Sequence, residues 1–268
     1  MDLRSPAALR ADGWAQVTTG ESGAVVLRSV DGSRYAKFVA AEQQAVLEAE
    51  RERIDWACRH DIATTRALDW ITNGEWACLL TSAVPGVSAD GLSPAELWTA
   101  WPSITTTLRR LHELPAEDCP FNRGLAEMFV MAEHVVSRGR ANAQFLPVEF
   151  RHTPPAELLD QLRSELQQRV AEEQADLVVC HGDLCLPNII IDPATHSVTG
   201  VIDLGRLGGA DRYADVALLL ANSRGTWVDE GQAVAADNLF ADTYGITLSP
   251  TRRQFYLCLD ALTWEAGS

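Results

Sequence analysis

The sequence contains no apolar run that is long enough to cross a membrane. None of its hydrophobic segments approaches the roughly eighteen residues that a membrane-spanning helix needs. Residues 1–14 also lack a charged stretch followed by an apolar one, so we expect no secretory signal. These absences predict a cytoplasmic protein that does not insert into membranes.

Closely spaced cysteines are absent as well. The six cysteines include no CxxC pair, and their spacing is not that of a zinc site. In a chain without a secretory signal, scattered cysteines with mostly apolar neighbours indicate reduced thiols. They are Cys58, Cys78, Cys119, Cys180, Cys185 and Cys258.

Positive charge is scarce. The chain has 22 Lys and Arg residues against 37 Asp and Glu residues, a formal net charge of −15. This balance argues against binding to nucleic acid or to an anionic membrane surface. It agrees with a cationic substrate, although acidity also serves solubility alone. The 268 residues are enough for one large domain or two small lobes.

The most informative stretch combines short apolar runs with polar side chains at their ends. An apolar run at residues 177–180 leads into a turn with Asp183, and Asn188 follows five positions later. A further run at residues 198–202 leads to Asp203. Strands separated by turns place such side chains at the rim of a cleft.

This spacing permits phosphoryl transfer. That reaction needs a base that takes or orients a hydroxyl proton, and oxygen ligands that hold Mg²⁺ on the nucleotide phosphates. Asp183 fits the base, while Asn188 and Asp203 fit the metal ligands. The competing interpretation is an ordinary turn with solvated acids, which a composite motif of this kind disfavours.

The motif HGDxxxxN at residues 181–188, followed by IDLGR at residues 202–206, resembles the catalytic and metal loops of aminoglycoside phosphotransferases. These enzymes are relatives of protein kinases. The resemblance implies an α+β, bilobal, protein-kinase-like fold with ATP and Mg²⁺ as cofactors. Residues 1–84 would form a nucleotide-binding lobe with a small antiparallel sheet. Residues 85–268 would form a larger, mostly helical lobe for catalysis and aminoglycoside binding.

Three short strands are predicted at residues 15–18, 24–28 and 34–39. A turn rich in glycine joins the first two, and the backbone of Ser22 and Gly23 would lie over the phosphates. Lys37 lies within the third, otherwise apolar strand and needs a partner there. In the resembled fold this lysine contacts the α- and β-phosphates.

A helix predicted over residues 41–58 supplies the partner of that lysine. We choose Glu50, because relatives place this glutamate six residues before a tryptophan, and Trp56 stands at that position. Glu48 and Glu52 are the alternatives.

Two more strands, at residues 67–71 and 76–83, lead to a Pro-Gly turn. The resemblance makes this segment the hinge between lobes, where Ser82 and Val84 would contact the adenine edge. Beyond it the pattern is helical, and the first helix opens with a capping box at residues 93–96. The predicted helices cover residues 94–114, 125–137, 154–174, 212–222, 230–244 and 250–264.

Residues 185–188 and 208–215, with the ending LDALTW at residues 259–264, are most similar to the streptomycin-modifying 3''-phosphotransferases. The resemblance therefore implies transfer of the γ-phosphate of ATP to the 3''-hydroxyl of streptomycin, and antibiotic resistance in a bacterial cytoplasm. Streptomycin carries two guanidinium groups, which carboxylates bind in fork geometry. The candidate acids are Asp260, favoured for its place in the last helix, and Glu265, Asp211, Asp215 and Glu230.

The sequence also suggests contacts for three further side chains near these motifs. We expect His181 to orient the catalytic loop by hydrogen bonding to backbone. Arg206 is expected to pair with an acid of that loop or with a surface acid. His112 is interpreted as structural, near the terminal carbonyls of its helix.

Alternatives to the streptomycin assignment stay open. The first is an aminoglycoside 3'-phosphotransferase that acts on kanamycin or neomycin, and the second is another small-molecule kinase, for example of choline or homoserine. A third is a nucleotide-binding pseudokinase scaffold. A protein substrate is not expected, because no long activation segment follows Asp203. We expect a monomer or a weak dimer.

Overall fold

A computed structural model describes residues 5–17 and 24–265. The chain divides into two compact units. The first takes residues up to Pro85 together with Thr199–Gly205, and the second takes Gly86–Val198 and Arg206–Ala266. No helix within the described ranges is long and apolar enough to cross a membrane. The assignment of nucleotide binding to residues 1–84 and of aminoglycoside binding to residues 85–268 stays a prediction.

The first unit is built on a five-stranded antiparallel sheet in the order β1-β2-β3-β5-β4. Its elements are helix α1 (Pro6–Ala11), strands β1 (Ala15–Val17), β2 (Val25–Arg28) and β3 (Arg34–Ala40), helix α2 (Gln44–Arg59), and strands β4 (Ala67–Thr72) and β5 (Trp76–Ser82). All the strands predicted for this region are present, and each differs from its predicted bounds by one residue at one end.

The turn between β2 and β3 sets the register of the sheet. Asp31 accepts a hydrogen bond from the hydroxyl of Ser29 at 2.6 Å, and Gly32 has a φ of 69°, which favours glycine. Further along β3, Lys37 lies opposite Leu79 of β5. The sequence of the hairpin thus places the lysine in the middle of the sheet.

Helix α2 differs slightly from its prediction. Residues 41–43 form a 3₁₀ turn, and the α-helix itself begins at Gln44 and ends at Arg59. Leu47, Glu50 and Ile54 are buried and lie three or four positions apart, so they share one face. Glu50 is therefore turned inward with the apolar side of the helix.

The second unit is mainly helical. The remaining elements along the chain are β6 (Val87–Ser88), α3 (Pro94–His112), α4 (Leu125–Ser137), α5 (Pro155–Ala175), β7 (Leu177–Cys180), β8 (Ile189–Ile191), β9 (Val198–Val201), β10 (Gly208–Asp211), α6 (Tyr213–Ser223), α7 (Glu230–Tyr244) and α8 (Pro250–Leu262). Residues 199–201 of β9 belong to the first unit. Short antiparallel pairs join β7 to β10 and β6 to β8.

The helices of this unit follow their sequence signals closely. The capping box at the start of α3 is present, because Ser93 and Glu96 exchange hydrogen bonds between side chain and backbone. Helices α4 and α7 have their predicted bounds. Helix α8 ends at Leu262 rather than at residue 264, where the hydroxyl of Thr263 donates to the carbonyl of Asp260 at 2.7 Å. The α+β prediction is confirmed, with a sheet in the first unit and helices in most of the second.

Candidate active site

Three charged side chains of the first unit meet in what we call the Lys37 cluster. The Nζ of Lys37 lies 2.7 Å from Oε2 of Glu50 and 3.5 Å from Oδ1 of Asp203. Strand β3 supplies the lysine, α2 the glutamate, and the segment after β9 the aspartate. Glu48, one of the alternatives, pairs with Arg51 at 3.3 Å instead.

The cluster keeps the lysine charged. Burial opposes the charge of Lys37, but the carboxylates of Asp203 and Glu50 more than offset burial and raise the pKa of Lys37. The side chains of Lys37 and Glu50 are 20% and 11% exposed, whereas that of Asp203 is 48% exposed. One carboxylate of the cluster is therefore open to a ligand.

The backbone brings Asp203 into this cluster. Asp203 has a φ of 63°, in the left-handed region that residues other than glycine seldom adopt. Just before it, Val201 donates its N–H to the carbonyl of Ala63 at 2.9 Å, and the hydroxyl of Thr64 donates to the carbonyl of Val201 at 2.6 Å. An anchored strand followed by an unusual backbone conformation is typical of functional sites.

In the second unit, residues 181–188 form the catalytic loop between β7 and β8. The side-chain amide of Asn188 donates to the backbone carbonyl of Asp183 at 2.8 Å and to its Oδ2 at 3.1 Å. The amide oxygen of Asn188 therefore faces away from Asp183, and none of the described residues donates a hydrogen bond to it. An amide oxygen in this state is a ligand that Mg²⁺ accepts.

The shape of the loop depends on its first residues. Gly182 has a φ of 80°, and a Cβ there would lie 2.2 Å from the carbonyl oxygen of Arg206, so any side chain would clash. The backbone N–H of Asp183 donates to Nδ1 of His181 at 3.3 Å. The ring of His181 thus contacts the loop backbone, as the sequence predicted.

A buried group, here called the Asp215 network, holds the start of the loop. It consists of His112, Asp215, Tyr244 and the backbone N–H groups of His181 and Gly182. These two N–H groups donate to the carboxylate of Asp215 at 2.7 and 2.8 Å, and Nε2 of His112 lies 3.1 Å from the same carboxylate. Burial would raise the pKa of Asp215, but the hydrogen bond and charge of His112 and the hydrogen bond from Gly182 lower it. Asp215 is therefore a buried, charged acceptor.

Comparison with known proteins identifies the family. The model of the phosphotransferase enzyme family (APH) matches residues 13–255. The chain belongs to this family. The resemblance to aminoglycoside phosphotransferases that the motifs indicated is thereby confirmed.

The phosphotransferase is 55% identical to a streptomycin 3''-kinase of Streptomyces griseus over 251 residues, which cover 94% of this chain and 92% of that protein. It is 38% identical to an aminoglycoside 3'-phosphotransferase of Streptomyces fradiae over 261 residues, which cover 92% and 94%. A solved structure of the aminoglycoside phosphotransferase APH(3'')-Id from Streptomyces rimosus, in complex with ADP and streptomycin, is similar with a TM-score of 0.91 and 54% identity. That match covers 98% of this chain and 99% of the other, and it confirms the predicted protein-kinase-like fold.

The remaining residues predicted to contact the nucleotide are Ser22, Gly23, Ser82 and Val84. Ser22 and Gly23 lie outside the described residues. The backbone N–H and carbonyl of Ser82 both have partners, and the carbonyl accepts from the hydroxyl of Thr65. In the described part of the chain, no residue hydrogen-bonds to the backbone of Val84. Of the two predicted hinge contacts, Val84 is thus the one whose backbone groups have no hydrogen-bond partner among residues 5–17 and 24–265.

Asp260, the favoured drug ligand, is engaged on both oxygens. Its Oδ1 lies 3.1 Å from Arg123 and 3.3 Å from Arg206, and its Oδ2 accepts from the indole N–H of Trp264 at 3.0 Å. The side chain is 9% exposed. Arg206 makes an ion pair with Asp260 and is thereby joined to the last helix.

Two other candidate acids are nearer to solvent. The side chain of Glu265 is 28% exposed and lies 2.9 Å from Arg140 and 4.0 Å from Arg138. Glu230 is 79% exposed and pairs with Arg224 at 2.8 Å. Both carboxylates therefore already bind a guanidinium group of the chain.

The last two candidate acids are fully buried, and the expectation that they contact the drug does not agree with their positions. Asp211 is 0% exposed, pairs with Arg252 and accepts from the backbone of Tyr213 at 2.8 Å. Asp215 is also 0% exposed, and its oxygens hold the catalytic loop and His112. Their carboxylates satisfy groups within the second unit, because a buried charge needs partners.

Sequence reasoning missed part of this site. The sequence predicts that His112 meets the terminal carbonyls of its helix, but it contacts Asp215 and Tyr244, and no motif marks Tyr244. The composition also marks Lys37, because it is the only lysine among the 22 basic residues of the chain. In a chain that otherwise uses arginine, a lone lysine in an apolar strand marks a position that needs a compact charge.

Proposed function

We propose that this phosphotransferase transfers the γ-phosphate of ATP to the 3''-hydroxyl of streptomycin and so confers resistance in a bacterial cytoplasm. The observation that carries the proposal is the 55% identity with a streptomycin 3''-kinase across 94% of the chain. The identity with a 3'-phosphotransferase is 38% over a similar share. This difference favours streptomycin over kanamycin as the acceptor.

Lys37 is assigned to the α- and β-phosphates of ATP. Its 2.7 Å contact with Glu50 fixes the position of the ammonium group, and its raised pKa keeps the group charged at neutral pH. The backbone groups of Val84, to which none of the described residues hydrogen-bonds, are assigned to the adenine edge. Ser22 and Gly23 keep the role over the phosphates that the sequence gave reason to expect.

Asp203 and Asn188 are the residues that would hold Mg²⁺. Both fit the ion. The carboxylate of Asp203 is 48% exposed, and the amide oxygen of Asn188 faces away from the hydrogen bonds that the amide nitrogen donates to Asp183. When bound, Mg²⁺ neutralises charge on the transferring phosphate. Each of these two oxygens is therefore a donor of the kind that a hard cation prefers.

Asp183 is assigned to the hydroxyl of the drug, which it orients and from which it takes the proton. Asn188 and the ring of His181 hold Asp183 through its side chain and its backbone. In the transfer, the bond from the γ-phosphorus to ADP breaks while the bond to the drug oxygen forms. Because the transition state is loose, correct positioning contributes most of the catalysis.

Glu265 is assigned to a guanidinium group of streptomycin. Its carboxylate is part-exposed and already binds the guanidinium of Arg140 at 2.9 Å, so its geometry suits this type of ligand. Asp260, whose oxygens are both engaged, would act by holding Trp264 and Arg206 in place. The acidic net charge of −15 agrees with a cationic drug.

The proposal is tested by a coupled assay of ADP release with MgATP and streptomycin, kanamycin or no acceptor. We expect turnover with streptomycin that exceeds the rate without acceptor, and no such excess with kanamycin. Turnover with kanamycin alone would place the protein in the 3' class. No turnover with either drug would favour another acceptor or a nucleotide-binding scaffold.

A further inference from the structure

The Asp215 network ties three helices of the second unit to the backbone of the catalytic loop. His112 ends α3, Asp215 lies in the first turn of α6, and Tyr244 ends α7. The side chains of His112 and Asp215 are 2% and 0% exposed. Buried polar groups of this kind depend on one another for hydrogen bonds, because water does not reach them.

The direction of the hydrogen bond between His112 and Asp215 follows from the chemistry of the carboxylate. A charged carboxylate only accepts, so Nε2 of His112 donates to it across 3.1 Å. On the other side of the ring, Nδ1 of His112 lies 2.6 Å from the hydroxyl of Tyr244, and the two groups hydrogen-bond. Burial raises the pKa of Tyr244, so the hydroxyl keeps its proton. The relay runs from Tyr244 through His112 to Asp215.

The other side of Asp215 carries the catalytic loop. Oδ2 accepts from the backbone of His181 at 2.7 Å, and Oδ1 accepts from that of Gly182 at 2.8 Å. These two residues directly precede Asp183. His112 and the N–H of His181 share the same oxygen, so a rotation of the carboxylate away from His112 would also move the anchor of the loop.

We propose that His112, oriented by Tyr244, is a positioning residue for phosphoryl transfer, because it fixes the carboxylate that holds the backbone ahead of Asp183. This inference rests on the proposed function, since it concerns the same reaction. A shift of about 1 Å in a reacting group lowers a rate about 100-fold. A relay that touches neither substrate therefore controls kcat through the position of Asp183.

His112 and Asp215 also lie close to Cys180, and among the described residues these three place their ligand atoms within 4.8 Å of one another. We assign no metal to them. Burial raises the pKa of the Cys180 thiol, which disfavours the thiolate that binds metals. The thiol instead donates to the carbonyl of Asp211 at 3.4 Å.

The test compares His112→Leu with His112→Gln. Leucine fills the space without a donor, whereas glutamine restores an N–H donor toward Asp215. We expect His112→Leu to lower kcat with streptomycin by about 10- to 100-fold while KM for ATP and for streptomycin changes by less than about threefold. His112→Gln should recover most of the loss. Tyr244→Phe keeps the ring packing and should lower kcat by about threefold.

The matched control is Thr105→Val in the same helix. Thr105 is fully buried, and its hydroxyl donates to the carbonyl of Trp101 at 2.9 Å, away from Asp215. We expect kcat to stay within about twofold of the wild-type value, although stability falls. Equal losses of kcat in His112→Leu and Thr105→Val would overturn the proposal. So would a His112→Gln enzyme that is no more active than His112→Leu.

Hydrogen exchange at the amides of His181 and Gly182 reports on the relay without any substrate. His112→Leu should speed their exchange by about tenfold, and His112→Gln should restore protection. If the leucine variant does not fold, Tyr244→Phe provides the same test, with a smaller expected increase in the exchange rate of these amides. Unchanged exchange would overturn the proposal. Failure of the streptomycin assignment is a separate outcome, because it would appear as a wild-type protein without streptomycin turnover.

Discussion

The Lys37 cluster and the Asp215 network hold charged groups in opposite ways. In the first, the side chain of Asp203 is 48% exposed and the lysine is 20% exposed. In the second, Asp215 and His112 are 0% and 2% exposed, and groups of the chain itself hydrogen-bond to both oxygens of the carboxylate. The exposure of the Lys37 cluster suits it to bind a ligand, whereas the burial of the Asp215 network suits it to hold a loop in place.

The largest expected effect comes from the loop that the network supports. Asp183→Asn keeps the shape of the side chain but removes its charge and basicity. We expect kcat to fall by about 10²- to 10⁴-fold, with the fold intact by circular dichroism. Asp192→Asn, at an exposed turn of the same stretch, is the control and should retain nearly full activity. An Asp183→Asn enzyme with more than a tenth of wild-type kcat would contradict the assignment of the base.

A smaller effect is expected from the cluster of the first unit. Glu50→Gln removes the 2.7 Å ion pair of Lys37, so the ammonium group is less well held. We expect KM for ATP to rise about tenfold with a smaller change in kcat, measured by initial rates at saturating streptomycin. Glu48→Gln is the matched control, because Glu48 lies on the same helix and pairs with Arg51. Equal effects of the two variants would show that the pairing of Lys37 does not matter for binding.

Much of both groups could be predicted from local sequence. Lys37, Asp183, Asn188 and Asp203 stand in short motifs, and the turn and capping signals around them act over a few residues. The burial of Asp211 and Asp215 could not be predicted in this way. Their partners Arg252 and His112 lie 41 and 103 positions away in the chain. An acid before a helix has the same sequence signature whether it is solvated or buried.

A modest effect is expected from the acids that we propose as ligands of the drug. Glu265→Gln should raise KM for streptomycin by about three- to fivefold, because one partly exposed ion pair is lost, and leave KM for ATP unchanged. Glu230→Gln serves as the control, since Glu230 is 79% exposed and its partner is Arg224. A larger effect at Glu230 than at Glu265 would reverse our ranking of these two acids.

The smallest effect is expected from two buried thiols, Cys78 in the first unit and Cys258 in the second. Burial, with a smaller contribution from Asp69, raises the pKa of Cys78 from 9.0 to about 12, and burial likewise raises that of Cys258 to about 12. The unfolded chain releases these protons from pH 9, whereas the folded protein retains them up to about pH 12. The free energy of unfolding should therefore fall as pH rises through this window.

Urea unfolding at several pH values between 9 and 11 measures that fall. Cys78→Ala and Cys258→Ala should each make the dependence on pH shallower, although both lower stability at pH 8 by leaving a cavity. Slopes identical to that of the wild-type protein would contradict the assigned burial of these thiols.

The position of the transferred phosphate distinguishes a streptomycin 3''-kinase from the alternative kinases. The most direct measurement is NMR of the drug after reaction with MgATP, with phosphorus-to-proton correlations that locate the new ester. We expect a single product with the phosphate on the 3''-oxygen of streptomycin, and its formation should be about 10²- to 10⁴-fold slower when Asp183→Asn replaces the wild-type enzyme. A phosphate on any other hydroxyl of streptomycin, or on the 3'-hydroxyl of kanamycin alone, would contradict this expectation.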